Sequence, residues 1–577
     1  MQYKLLNDTA FNPFITTEIR DIIFENRGIP IERMLQYMCP TEKDLLDPFL
    51  LDNMKEGIEL LESHIVNHNK IFIIVDSDVD GFTSAGILYN YLKLIHPNSQ
   101  LEWMVHEDKS HGINLNRIPE ETKLIICPDS SSNEYDKHAT LKDIHGIDVL
   151  VIDHHDAPHY STHATVINNQ LSDKYPNKWL SGAGVVFKFC QGMDLENNTN
   201  YALEFLDLAA LGIVADMMDV TPMENRYIIT EGLKNIQNPF FKELVRKQSY
   251  SLGSQSLNSI GVMFYISPLI NAVTRVGTLE ERENMFLAFI EGTKILSSTK
   301  RGATETDKET VAEQATRNAV NCRNRQKKLV DELKEQIEVN IDKKEIETQP
   351  LLLIKLDEIM NRNLTGLVAN QLASKYKRPV LLLVDQGDEY YLGSGRNYGF
   401  SEVVNLKDSL KDTKLFEFAE GHQSAFGAKI TENNIETFTN TLNEVFPNIK
   451  TLDDTYTVDF IFQAKDFNLD AIRQIAKLRT LWGKGFDEPL IAVENVPVNS
   501  NNLSIMGQKS KHLKFEYKDI TYIKFHVPEE EIEIFQNKNL LINVVGRCDV
   551  NIWQDTFNYQ LIIQNYEITK EEDEFAF

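Results

Sequence analysis

From about Lys70 to about Lys300, short apolar runs alternate with stretches of helical periodicity. Ile71–Val75, Leu124–Cys127 and Val149–Ile152 read as buried strands, each followed by polar or acidic residues and a helix-like segment. That alternation predicts an α/β fold, a parallel sheet with crossover helices. Sites in such sheets gather at the carboxyl ends of the strands. Residues 1–70 read as helical and partly amphipathic. From Asp307 to Ile337 there is no proline or glycine, and Ala312, Ala315, Ala319, Leu329 and Leu333 form a helical stripe. This predicts one long helix joining two domains. A second, smaller α/β pattern follows, with strands Leu351–Leu356 and Val380–Val384 flanking a helix over Thr365–Tyr376. Gly393-Ser394-Gly395-Arg396 then reads as a glycine-rich turn. After about Thr455 the pattern becomes short strands: Thr457–Phe462, Leu490–Glu494, His512–Tyr517, Thr521–His526, Leu540–Gly546 and Tyr559–Tyr566. They predict an all-β module, a small barrel of the kind that binds single strands.

The length of 577 residues suits three or four domains, at roughly 100–200 residues each. With 42% hydrophobic and 25% charged residues, the composition is that of a globular protein. The net charge of −27, from 59 basic and 86 acidic residues, argues against nucleic-acid binding through the mean field. Binding to DNA would have to be confined to a narrow cleft. Arg317, Arg323, Arg325, Lys327 and Lys328 lie in a stretch without acids from Ala315 to Val330. They are either a solvated helix face or the wall of a nucleic-acid groove. No run approaches ~18 uninterrupted apolar residues, so no membrane span is expected. The first residues lack a signal-peptide pattern, and a cytoplasmic chain is expected. The five cysteines are scattered and without zinc-ligand spacing, which predicts reduced thiols.

The chemistry concentrates where the apolar runs end. Ile71–Val75 runs straight into Asp76, Asp78 and Asp80, followed by Gly81 and a helix from about Thr83. Three carboxylates so close repel one another unless a cation neutralises them. A calcium loop is excluded, because Ile87 stands where its last glutamate belongs. Leu124–Cys127 delivers Asp129, and Val149–Ile152 delivers Asp153, His154 and His155. A fourth apolar stretch, Leu206–Val214, ends at Asp216. Taken as four strand ends, these residues would converge on a site for divalent ions of the Mn²⁺ or Mg²⁺ kind. Two such ions about 3.5–4 Å apart would clamp a phosphate for in-line attack. Gly393-Ser394-Gly395-Arg396 offers backbone N–H groups, a hydroxyl and a guanidinium to an anion.

Asp153-His154-His155 with Asp76-Ser-Asp78-Val-Asp80-Gly81 resembles the DHH phosphoesterase superfamily. Asn168-Asn169, Tyr175-Pro176, Leu180–Lys188, Ala210–Asp216, Glu224-Asn225-Arg226 and Pro268–Arg275 narrow the resemblance to the RecJ single-strand exonucleases. Gly366, Arg378-Pro379, Gly393–Arg396 and Gly421-His422 resemble the DHH-associated domain, and Leu481-Trp-Gly483 through Gln560-Leu561 the RecJ oligonucleotide-binding (OB) fold. The chain departs at Val75-Asp76-Ser77-Asp78, where the family usually has Gly-Asp-Tyr-Asp, and at Glu420-Gly421, where it has paired glycines.

The resemblance implies a helical extension over 1–65, a DHH domain over 66–306, a connecting helix over 307–338, a DHH-associated domain over 339–450, an OB-fold over 451–567 and an acidic tail over 568–577. It implies Asp78, Asp80, Asp129, His154 and Asp216 as ligands of two Mn²⁺ or Mg²⁺ ions, with Asp129 bridging and Asp76 a further ligand or a neighbour of one. Asp153 would orient an imidazole, and His155 would touch the scissile phosphate. Arg275 would stabilise transition-state charge, and Asn271 would bind substrate beside it. Gly393, Ser394, Gly395 and Arg396 look like a pocket for a terminal 5′-phosphate, with His422 in the same cleft. The implied activity is 5′→3′ hydrolysis of single-stranded DNA to 5′-mononucleotides in recombination or repair, by a monomer in a bacterial or phage-infected cytoplasm. The alternatives are a phosphodiesterase acting on oligoribonucleotides or cyclic dinucleotides, and a non-catalytic replication scaffold. The acidic tail is either a solubilising segment or a docking segment for a single-strand-binding protein or a helicase.

Overall fold

The computed structural model describes residues 1–7, 19–108, 110–252, 256–304, 306–340, 349–357, 362–387, 389–401, 403–446, 455–507, 511–553 and 556–573. The chain divides into two compact units. One is Lys4–Val320 with Thr457–Phe577, and the other is Met1–Tyr3 with Asn321–Tyr456.

The larger unit is built on five strands, β1 (Lys70–Val75), β2 (Leu101–Val105), β3 (Thr122–Pro128), β4 (Asp148–Asp153) and β5 (Thr165–Asn168). Their order is β2-β1-β3-β4-β5 and every pairing is parallel. The strands read as continuous apolar runs because both faces are covered. Phe72, Ile74, Met104, Ile125, Cys127, Val149 and Val151 share one buried cluster. From β1 the chain steps to β2 on one side and to β3 on the other. The order therefore reverses between β1 and β3, which opens a crevice at their carboxyl ends.

Helices α1 (Met54–Val66), α2 (Val79–Ile95) and α3 (Gly182–Asn197) pack on this sheet, α4 (Leu206–Ala215) packs on α2 and α3, and α5 (Met223–Lys234) on α4. The run Leu206–Val214 is thus a helix and not the fourth strand that its apolar character predicts. It is buried all round, so no polar stripe marks its period. The segment before the sheet is tied into the unit. His64 Nε2 lies 3.0 Å from Asp148 Oδ2, and the Leu46 N–H donates to Glu224 at 3.1 Å. Gln2–Leu5 is a strand, where helix is expected.

Beneath α3 and α5 lies a buried ionic network. Lys188 Nζ is 3.0 Å from Glu224 Oε1. Tyr175 Oη and Asn177 Nδ2 donate to Glu224 Oε2 at 2.8 and 2.9 Å. Helices α6 (Ser267–Val276) and α7 (Leu279–Glu291) follow, fastened when Arg282 donates to the carbonyls of His106 and Thr274 at 3.2 and 3.0 Å. By length and mean hydropathy alone, the helical segment Ser259–Val276 is apolar enough to cross a membrane, although polar residues interrupt it throughout. Its Leu269, Ile270, Ala272 and Val273 are buried in the protein core.

Helix α8 (Val311–Asn340) is the long connecting helix. Its Arg317 is not a free groove residue. Nη2 donates to Glu309 Oε1 at 3.0 Å, and the Glu309 carboxylate is fully buried.

The smaller unit carries β6 (Leu352–Leu356), β7 (Val380–Asp385), β8 (Tyr390–Arg396), β9 (Phe416–His422) and β10 (Ala425–Thr431), in the order β9-β10-β8-β7-β6. Helices α9 (Thr365–Tyr376) and α10 (Glu432–Val445) belong to it, and Leu381, Leu383, Phe426, Phe438 and Leu442 share its core. Gly393-Ser394-Gly395-Arg396 lies inside β8, paired on both sides, and is not a turn. The glycines are explained by packing. A Cβ on Gly393 would stand 1.8 Å from the Leu382 carbonyl oxygen, and one on Gly395 would stand 2.4 Å from the Phe426 ring.

The chain then returns to the larger unit with seven strands: β11 (Phe460–Gln463), β12 (Ile491–Val498), β13 (Leu503–Met506), β14 (His512–Tyr517), β15 (Ile520–Lys524), β16 (Lys538–Trp553) and β17 (Thr556–Asp573). They form one sheet in the order β11-β12-β16-β17-β15-β14-β13. The expected strand Thr457–Phe462 breaks at Asp459, whose carboxylate is drawn away to Arg27 Nη1 at 2.7 Å, Asn26 Nδ2 at 2.9 Å and the Leu490 N–H at 3.1 Å. Strand β13 and helix α11 (Leu469–Ala476) are additions to the expected pattern. Residues 568–573, expected in a tail, continue β17, and 574–577 lie outside the described residues.

This sheet is fastened to the first domain. The Val220 N–H donates to the Lys484 carbonyl at 2.9 Å, and Asn258 Nδ2 donates to the Arg479 carbonyl at 2.9 Å. A Cβ on Gly483 would stand 2.7 Å from Val220. Of the five cysteines, none is in a disulfide, and all but Cys39 are buried.

Candidate metal centre

The carboxyl ends of β1, β3 and β4 deliver the expected residues to the crevice. Asp76 follows β1, and Asp78 caps α2 by accepting from the Gly81 N–H at 3.1 Å. Asp80 lies in the first turn of that helix and turns to the N-terminus of α3. There it accepts from Ser181 Oγ at 2.8 Å and from the N–H groups of Gly182 and Ala183 at 2.6 and 3.1 Å. Asp129 follows β3 with φ +65°, in the left-handed region that side chains other than glycine seldom adopt. Asp216 caps the C-terminus of α4.

These groups converge on His154. Its Nε2 lies 3.2 Å from Asp129 Oδ1, 3.6 Å from Asp216 Oδ2 and 3.8 Å from Asp80 Oδ2. Two sets of potential ligand atoms, Asp76–Asp78–Asp129 and Asp80–His154–Asp216, each lie within 4.8 Å of one another. Asp129 Oδ1 and His154 Nε2 are buried without a hydrogen-bond partner. Buried polar atoms are nearly always satisfied. An orphaned carboxylate oxygen facing an orphaned imidazole nitrogen, with oxygen-rich neighbours and no thiolate, fits a hard divalent cation.

The electrostatics agree. Burial, reinforced by Asp80, Asp78 and Asp76, holds the Asp129 carboxyl well above the usual carboxylate range. Burial likewise raises Asp216, with Asp80 and Asp78 adding to it, and raises Asp80, where His154 opposes the shift. Burial lowers His154, which favours the neutral ring that a metal needs. A site whose carboxylates resist ionising without a cation is one that a cation stabilises.

Asp153 has a different task. It accepts from the N–H groups of His154 and Ser132 at 2.7 and 3.1 Å, and its Oδ1 lies 2.8 Å from His155 Nδ1. Burial alone would raise its carboxyl, but His155 and His154 pull it below the usual range. Burial opposes charge on His155, yet Asp153 pushes that ring up to about 10. The His155 imidazolium is thus fixed at one nitrogen and half-exposed on the other side.

Three glycines make this packing possible. A Cβ on Gly81 would stand 2.5 Å from Asp76 Cβ, one on Gly182 2.4 Å from Asp129 Oδ1, and one on Gly212 2.3 Å from Asp80 Oδ1. Gly182→Ala is expected to displace Asp129 and lower kcat/KM about a hundred-fold, as misplacement by an ångström can. Steady-state kinetics beside a circular-dichroism spectrum checks this, and near-normal kcat/KM would refute it.

Asn271 and Arg275 are half-buried on α6. The structure places Gly393, Ser394, Gly395 and Arg396 in the smaller unit, on β8. Ser394 Oγ lies 2.9 Å from Thr365 Oγ1 at the start of α9. A Cβ on Gly366 would stand 2.4 Å from Arg396 Nη2, so the guanidinium lies against the first turn of that helix. Burial lowers its pKa, and among the described residues it pairs with no carboxylate. His422 is exposed at the end of β9.

Residues that the sequence did not single out also line the centre. His111 Nδ1 lies 2.6 Å from Asp76 Oδ2, and the Gly112 N–H donates to Asp76 Oδ1 at 3.3 Å. Both sit on a loop with no pattern to expose them. Ser181 and Gly182 lie within Leu180–Lys188, a stretch that carries the family resemblance, and form a serine N-cap opening a Gly-Ala-Gly helix start.

The matched domains follow the same division. Residues 70–213 match the DHH family N-terminal domain, 348–448 the DHHA1 domain and 458–565 the RecJ OB domain. Parallel-sheet centre, second α/β domain and all-β sheet together define a RecJ-type DHH protein. The chain is 37% identical, over 99% of both chains, to a Bacillus subtilis protein carrying the name SPbeta prophage-derived single-strand DNA-specific exonuclease YorK. It is 24% identical to the single-stranded-DNA-specific exonuclease RecJ of Bacillus subtilis, over 96% of this chain and 68% of that one. The crystal structure of Thermus thermophilus RecJ in complex with Mn²⁺ shares its fold, with a TM-score of 0.71 at 19% identity, over 95% of this chain and 76% of that one. This chain therefore belongs to the RecJ family of single-strand DNA-specific exonucleases.

Proposed function

We propose that this chain hydrolyses single-stranded DNA from its 5′ end, releasing 5′-mononucleotides in recombination or repair in a bacterial cytoplasm. The observation that carries the reading is the buried Asp129 oxygen without a hydrogen-bond partner, in one set of ligand atoms and 3.2 Å from His154 Nε2 of the other. Asp78, Asp80, Asp129, His154 and Asp216 would hold two Mn²⁺ or Mg²⁺ ions. Asp76, held by His111 and Gly112, borders one of them. When bound, such ions supply Lewis-acid charge for the phosphodiester and lower the pKa of water.

The remaining work falls to the chain itself. Asp153 fixes the His155 ring, which donates to the scissile phosphate. Arg275 stabilises developing charge on the phosphoryl oxygens, and Asn271, one helical turn before it, positions the strand. Ser394, Arg396 and the first turn of α9 receive the terminal 5′-phosphate, because a desolvated guanidinium beside a helix N-terminus selects an anion. Gly393 and Gly395 give the close strand packing behind that pocket, and His422 lines its approach.

Product analysis on 5′- and 3′-labelled strands, with Mn²⁺ and with chelator, tests the reading. Mononucleotides released from the 5′ label only when metal is present are expected, and release from the 3′ end would refute it. Arg396→Ala is expected to lower kcat/KM about ten- to hundred-fold on 5′-phosphorylated strands, the range for losing a charged hydrogen bond. Strands with a 5′-hydroxyl should be little affected; equal losses on both would remove the pocket.

A further inference from the structure

Beside the metal centre stands an aromatic residue with a cation over its ring. Trp179 is 43% exposed, and Lys484 Nζ lies 5.3 Å from its ring centroid. The two come from different domains of one compact unit. Each stands a few residues from a group of the centre. Trp179 precedes Ser181 and Gly182, which hold Asp80. Lys484 sits on the loop fastened to Val220, four residues beyond Asp216.

Both backbones are rigidly held. The Trp179 N–H donates to Asn177 Oδ1 at 3.1 Å, and its carbonyl accepts from Asn225 Nδ2 at 2.7 Å. The Lys484 carbonyl accepts from Val220, and Gly485, at φ +85°, packs so tightly that a Cβ would stand 2.2 Å from Asp219 Oδ1. That carboxylate is engaged elsewhere, accepting from the N–H and hydroxyl of Thr221 at 2.7 and 2.6 Å. Lys484 makes no ion pair among the described residues. Its charge acts on the Asp216 carboxylate, which sets the ammonium and the indole beside it at the edge of the centre.

We propose that Trp179 and Lys484 form a binding step for one nucleotide of a single strand at the rim of the metal centre, its base stacked on the indole and its phosphate on the ammonium. Stacking platforms paired with backbone cations are how proteins hold single strands without reading sequence. The proposal rests on the single-strand reading above. A cation–π pair that only joins the two domains is the competing explanation, and it affects stability rather than strand affinity.

The test measures strand binding by fluorescence anisotropy on the full chain, with chelator present so that no strand is consumed. Trp179→Ala is expected to weaken binding about ten-fold, and Trp179→Phe to restore most of it. Moving a single abasic site along the strand should find one position where wild type and Trp179→Ala become equal. Lys484→Ala is expected to lower the slope of log affinity against log salt by about 0.7, one phosphate of a single strand. Lys484→Arg should keep that slope. Variants that match wild type in affinity, abasic profile and salt slope would overturn the platform, while wild-type hydrolysis of single strands left the proposed function standing. A wild-type chain that neither binds nor cuts single strands would overturn both.

Discussion

Asp129→Asn is expected to lower hydrolysis of single-stranded DNA about a thousand-fold or more, while raising the thermal midpoint of the metal-free protein. The two effects have one cause. Asp129 is 1% exposed, and one of its oxygens has no partner. Burial and the charges of Asp80, Asp78 and Asp76 oppose its ionisation. Without a cation this arrangement is a cost to the fold, and an amide of the same shape relieves it. With a cation, the same oxygen would be a ligand: Asp129 groups with Asp76 and Asp78, and its Oδ1 lies 3.2 Å from His154 Nε2 of the other set. The amide carries no charge there, and the electrostatic stabilisation that phosphoryl transfer depends on is lost. Differential scanning fluorimetry with and without Mn²⁺ reads the stability half. The wild type should gain about 2.7 kcal/mol of stability at a hundred times its dissociation constant, and the variant should gain little. A variant that keeps the full Mn²⁺-dependent shift, or turns over near the wild-type rate, would contradict the assignment.

Glu224→Ala is expected to be the most destabilising single change outside the centre, by about 3–5 kcal/mol, the usual cost of removing one partner of a buried ion pair. The carboxylate is 1% exposed and Lys188 is fully buried. Burial already lowers the Lys188 pKa, with Glu224 the chief opposing influence. Removing the carboxylate leaves the ammonium only the neutral Leu46 carbonyl and Gln191 Oε1, and takes an acceptor from Tyr175, Asn177 and the Leu46 N–H. Asn177 also steadies the backbone of Trp179, so strand affinity should fall with stability. Urea unfolding at fixed pH checks the prediction, and a loss below about 1 kcal/mol would show that the network relaxes around the gap.

The centre was legible wherever a strand pointed at it. Asp76, Asp78, Asp80, Asp129, Asp153, His154 and His155 each follow an apolar run, and parallel strands carry their ends to one crevice. Asp216 was found from the wrong element. Its run is apolar on every side, and a buried helix and a buried strand then look alike. The glycines of β8 misled for a related reason. Gly-x-Gly suggests a turn, but here the missing side chains admit a carbonyl and a phenyl ring. Arg317 looked like part of a basic face because Glu309, its partner, stands two turns back and outside the helix. His111 and the Trp179–Lys484 pair were not legible at all. They depend on loops brought together by the finished fold, and no periodicity records that.

The fastening of the seven-stranded sheet to the DHH domain bears on how this polypeptide can be cut. The segments before Val220 and after Thr457 belong to one body, and the smaller unit is spliced into it like a parenthesis. A fragment ending near the close of the smaller unit would carry every candidate metal ligand, yet it would not be a minimal enzyme. Its Val220 N–H, Asn258 amide and Arg27 guanidinium would have lost their acceptors at Lys484, Arg479 and Asp459. Residues 4–320 and 457–577 together contain both sides of each of those contacts. The body that carries the candidate metal centre is therefore made of the two ends of the chain, and no single uninterrupted stretch short of nearly the whole chain contains it.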